Sequence, residues 1–143
     1  MLRLHRALAI QRVSVALFFM AHALVRIFNG TIPRFAEFMR ERGWPAATEL
    51  VILITLVEVV CGVLLILDRH ARLAAAPLAA IALGGIVIIH WNNGWFVGEH
   101  GTGGMEYSVA LLVALWVVAA ADTERRQHPM AVRHPETARR DRT

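Results

Sequence analysis

Six ionisable side chains, Arg12, His22, Arg26, Glu58, His90 and Glu106, stand inside or at the edge of stretches that are otherwise apolar. Such a group at the middle of a bilayer costs about 2.5–3.5 kcal/mol on insertion scales, so each needs a partner, a nearby interface or a job. Their types suit proton and redox chemistry. A desolvated carboxylate holds or passes a proton, an imidazole donates or accepts a hydrogen bond, and a guanidinium holds an anion. Two arginines against two glutamates cancel formally, as groups paired inside a protein do.

Spacing gathers them. At about 100° per helical residue, Arg12, Arg26 and His22 share a stripe of about 80° on one helix. Glu58 falls near the middle of a second apolar block, and Gly62 one turn later shares its face and admits a neighbouring helix. Arg26 and His90 are expected at one depth, about 12 Å outward of the span centre, with Glu106 opening the last span at that level. The expected arrangement is a pocket of Arg26, His90 and Glu106 open to the outer face, with Glu58 and His22 at its floor. Ordinary roles compete. Arg12 can snorkel to the inner interface, Glu106 can sit at the positive end of a helix dipole, and His90 can bond a carbonyl at a helix end. Glu58 cannot snorkel from mid-span.

The elements that must position these groups follow from blocks of about 17–23 apolar residues, the length that crosses a hydrocarbon core of about 30 Å. Four are expected, at about residues 7–28, 45–67, 73–91 and 105–121. Phe35, Phe38 and Met39, set against Glu37, Arg40 and Glu41, predict a short amphipathic helix at the interface between the first two spans, with Trp44 as its anchor. Ala21-His22-Ala23 imitates a leader-cleavage site, but the helical pattern continues to Phe28, so the first block reads as a span. The expected fold is all-α: an integral membrane antiparallel four-helix bundle over residues 1–121, followed by an Arg-rich, disordered cytoplasmic tail over 122–143.

All fifteen basic residues of the 143-residue chain are arginine. Ten of them (Arg3, Arg6, Arg69, Arg72 and six in the tail) fall on one side of the expected spans, and Arg34, Arg40 and Arg42 on the other. The basic excess places both chain ends in the bacterial cytoplasm and explains the high isoelectric point without nucleic acid. Cys61, the single cysteine, excludes an internal disulfide and a CxxC redox pair. Between the last two spans, the Gly-rich stretch 90–107 presents Asn93-Gly94 as a turn and Trp95-Phe96 as an interfacial belt or lid. The spacing of His90, Glu99, His100 and Glu106 matches no dedicated metal motif, so no metal is expected.

These residues resemble the DoxX family of small four-helix bacterial membrane proteins over about Gln11 to Ala121. The resemblance is carried by Arg12, His22-Ala23-Leu24-Val25-Arg26, Glu58-Val59-Val60-Cys61-Gly62, His90, Gly94-Trp95-Phe96 and Gly104-Met105-Glu106-Tyr107. Ala23 stands where the family usually has glycine, and Arg26 where lysine is common. What the resemblance implies is a cytoplasmic-membrane protein, some of whose relatives are subunits of quinone-linked oxidoreductases acting on thiosulfate.

The expected function is therefore a subunit of a quinone-linked membrane oxidoreductase. His22, Arg26, Glu58, His90 and Glu106 would bind a quinone or a small oxidisable substrate: a histidine donates to a carbonyl, the glutamates carry protons, and Arg26 holds anionic species. Beyond the lipid bilayer, the expected partner is a membrane or peripheral redox subunit, with self-association open. The alternative is a non-enzymatic scaffold or a small-solute or proton transporter.

Overall fold

The computed structural model describes residues 2–98 and 103–127, and among them every regular element is helical. Helix α1 spans Leu2–Phe28, α2 Ile32–Glu41, α3 Ala47–Ile66, α4 Ala71–Gly85 and α5 Glu106–Gln127. Four stretches of the described residues are long and apolar enough to cross a membrane: Arg3–Phe28, Ala47–Ile66, Ala71–Asn93 and Glu106–Arg126. They match the four expected blocks. The tail expected to be disordered from residue 122 begins later, because α5 continues to Gln127 with Asp122 buried; from residue 128 on it lies outside the described residues.

Local chemistry sets the boundaries. Helix α1 ends where Asn29-Gly30 turns the chain, and Pro33 at the start of α2 occupies a first-turn position where a missing N–H costs little. The second span opens at Ala47, two residues after Pro45, because Ala46 adopts a left-handed conformation that no helix propagates. The third span is not one regular helix. After Gly85 it widens into a π-helical turn, Ile86–His90, and closes with a 3₁₀ turn, Trp91–Asn93.

Each long helix packs on two others, so that α1, α3, α4 and α5 form a closed cycle in that order, with α2 laid against α3. Small residues let them approach. A Cβ built on Gly62 would lie 2.4 Å from Cγ of Met20, so α1 occupies the space that this glycine leaves on α3. The core is apolar: Val15, Phe19, Leu65, Leu78 and Leu115 are buried. Leu53, Leu56, Leu83, Val87, Val113 and Trp116 point outward. Large apolar side chains on both the inner and outer faces of long helices are what a bilayer solvent selects.

Candidate functional site

The centre of the site is an ion pair. Arg26, near the end of α1, donates from Nη1 to Glu58 Oε2 at 2.8 Å and to Thr55 Oγ1 at 2.7 Å. The Glu58 side chain is 4% exposed and that of Arg26 14%. Thr55, three residues before Glu58 and on the same face of α3, passes the chain onward by donating to the Val51 carbonyl at 2.7 Å. The guanidinium also stands over the Phe35 ring, 5.2 Å from its centroid, which brings α2 against the pair. A carboxylate that cannot reach water is thus held by a cation with a neutral hydroxyl and an aromatic face beside it.

This pair forms part of the wall of a half-open cavity of about 470 Å³ lined by all five helices and the π-turn. His22, Arg26, Glu58, His90, Tyr107 and Ser108 supply its polar groups. The rest of its lining is apolar, from Phe19, Ile54, Ile81, Ile88 and Leu111 among others. A second cavity of about 470 Å³ lies between α1, α2 and the π-turn, and includes Thr31, Arg34 and Phe38. His22, Arg26, Phe35 and Ile89 border both.

Four of the five expected site residues therefore share one cavity. His22 is reachable from outside and lies against Tyr107, ring centroids 6.3 Å apart; its ring has no hydrogen-bond partner among the described residues. His90 uses Nδ1 on the Gly103 carbonyl, which makes Nδ1 the protonated nitrogen and leaves Nε2 as an acceptor. Glu106 does not line the cavity. Its Oε1 instead accepts the Val97 N–H at 3.1 Å.

That bond belongs to a clasp between residues 94–97 and 104–106. Gly104 N–H reaches the Phe96 carbonyl, Met105 N–H that of Gly94, and Glu106 N–H that of Trp95, at 3.0–3.2 Å. A Cβ on Gly104 would come within 2.5 Å of the Trp95 and Phe96 carbonyl oxygens, so only glycine permits the approach. The clasp sets Val97, Gly103, Gly104 and Tyr107 on the cavity wall. Just past the end of α2, Arg42 donates to the Ile88 carbonyl of the π-turn at 3.2 Å while covering the Phe38 ring.

Arg12 is placed elsewhere. At the opposite end of α1 it pairs with Asp68 of the α3–α4 turn, which also receives both terminal nitrogens of Arg125 at 2.6 and 2.8 Å. Thr55, Tyr107 and Phe35 were not read from the sequence as site residues. Thr55 had a signal, a hydroxyl three positions before Glu58; Phe35 and Tyr107 had none, since reaching the cavity depends on how α2 and α5 are laid down. No group of three histidine, cysteine, aspartate or glutamate side chains able to hold a metal gathers among the described residues. Glu99 and His100 lie outside them.

The DoxX family profile matches residues 7–91, which takes in the ion pair, Gly62 and His90. No curated protein and no solved structure matches the chain. With the matched stretch covering three of the four long apolar helices and most of the cavity wall, the chain is a multi-pass membrane protein that belongs to the DoxX family.

Proposed function

We propose that the protein is an inner-membrane subunit of a quinone-linked oxidoreductase system, and that the cavity lined by all five helices is its quinone site. The observation that carries this reading is the Arg26–Glu58 pair, buried in the wall of a cavity that is otherwise mostly apolar. A quinone head needs hydrogen-bond donors at its carbonyls and an apolar slot for its ring and tail, and the residues present fit those needs. When bound, a quinone supplies a two-electron, two-proton acceptor. The chain's own groups would do the rest. His22, without a hydrogen-bond partner among the described residues, donates to one carbonyl; Glu58 carries a proton; Arg26 keeps that carboxylate in place and offsets anionic charge. His90 orients the clasp and offers Nε2 as an acceptor, and Glu106 fastens the clasp that borders the cavity.

The topology that goes with this reading is an antiparallel up-and-down bundle with the chain ends in the cytoplasm and α2 at the outer interface. Its supports are the arginine excess and the order of contacts: Arg12 meets Asp68 beyond α3, whereas Arg26 meets the earlier Thr55 and Glu58. The test uses purified protein in lipid nanodiscs with decylubiquinone. Binding at micromolar concentration is expected, falling at least tenfold for Glu58→Gln, with Glu58→Asp retaining most of it. A wild-type protein that takes up no quinone overturns the reading. Conduction of protons is the second reading, favoured by His22 and Arg26 bordering both cavities; flux through proteoliposomes, lost on Glu58→Gln without any quinone, would establish it instead.

A further inference from the structure

Gly84 and Gly85 both line the cavity that holds the Arg26–Glu58 pair, and a Cβ built on either meets no atom within 4 Å beyond its own stretch of helix. This is unlike Gly62, where Met20 fills the space. Helix–helix contact therefore does not account for the pair, although two adjacent glycines weaken a helix interior. Immediately after them α4 widens into the π-turn Ile86–His90, a departure that recurs at functional sites and that here places Ile88, Ile89 and His90 on the same wall. Ile81, Gly85 and Ile88 follow one another at helical spacing, so the glycines lie in the strip of α4 that faces the void.

We infer that Gly84 and Gly85 are the size-determining residues of the cavity. They keep a side-chain-free strip of α4 for the flat apolar body of an amphiphile whose oxygen-bearing head meets Arg26 and His22 across the void. This rests on reading the cavity as the site of a lipid-soluble ligand. It adds which residues set the breadth of that ligand. A quinone ring and the carboxylate end of a fatty acid share the required chemistry, an oxygen acceptor on an apolar body.

The test measures uptake of decylubiquinone and, separately, of oleate by full-length protein in nanodiscs. Native mass spectrometry and tryptophan quenching read it out, Trp44 being on the cavity wall. Gly84→Ala and Gly85→Ala are expected to weaken binding several-fold and Gly84→Leu and Gly85→Leu by at least thirtyfold. All four should melt at or above the wild-type temperature, because a Cβ added at either position meets nothing within 4 Å and alanine and leucine favour the helix over glycine. Loss of oleate alone, with no decylubiquinone bound by the wild type, would uphold the strip and discard the quinone. Leucine variants that bind either probe within twofold of wild type would overturn the strip and leave the quinone reading intact. The strip is equally overturned if the wild type binds neither probe, or if the variants melt lower or change oligomeric state, since the glycines would then serve helix contacts.

Discussion

A carboxylate in a bilayer-spanning helix is tolerable only when its charge is answered at contact distance, and Glu58 is answered once, by Arg26. Thr55 makes that single contact directional: by accepting from the same Nη1 and donating to its own helix, it fixes where the guanidinium can sit. Hydrogen bonds to charged groups contribute about 1.5–3 kcal/mol. Thr55→Val is therefore expected to lower stability by about that amount, read from unfolding in mixed micelles. In an Arg26→Met background the same change should have much less effect. Equal losses in both backgrounds would mean that Thr55 serves only its own helix.

At the scale of elements, the decisive feature is how the third span ends. The π-turn presents the Ile88 carbonyl to Arg42, the residue that follows α2, which donates to it at 3.2 Å. The clasp between residues 94–97 and 104–106 then joins that end to α5. Gly104 is its least replaceable residue, because the obstacles to a side chain are backbone oxygens that cannot swing aside. Gly104→Ala is expected to cost about 1–3 kcal/mol, in the range of overpacked sites. Helix content by circular dichroism should stay unchanged while proteolysis between residues 94 and 104 accelerates. Unchanged proteolysis would show that the clasp opens freely.

At the scale of the whole molecule, the two ends are held differently. One end carries the cavity and its clasp; the other carries ion pairs that tie α1, the α3–α4 turn and α5 together. Asp68 receives Arg12 and Arg125, and buried Asp122 receives Arg126 at 3.0 Å and the Arg72 N–H at 3.3 Å. The hydrogen bond from Arg125 holds the Asp68 carboxyl below the ordinary aspartate range, aided by Arg12 and opposed by partial burial. A carboxyl depressed in the folded state contributes stability above its unfolded pKa of about 3.9, and that contribution disappears as the pH falls through the lower folded value. Stability should accordingly decline below about pH 4, and Asp68→Asn should remove that part of the decline. The same change should lower stability by about 1 kcal/mol at pH 7, as partly exposed pairs do. An acid limb of the same depth in the variant would assign it to other carboxylates.

Much of this was written in the chain itself. Four apolar blocks of spanning length determine four helices, because a segment in lipid must satisfy its backbone internally whatever its neighbours are. Ionisable residues in those blocks stand out for the same reason, which is how His22, Arg26, Glu58 and His90 could be picked out one by one. Which of them meet is another matter. Periodicity places a residue on a face, but not that face against a particular neighbour. Only the packing of α1 on α3 joined Arg26 to Glu58 and sent Arg12 to Asp68, and only the clasp turned Glu106 away from the cavity it had been expected to line. The two cavities that meet at His22, Arg26, Phe35 and Ile89, and the open strip at Gly84 and Gly85, are likewise products of five helices brought together, since an empty volume has no residue of its own to be read.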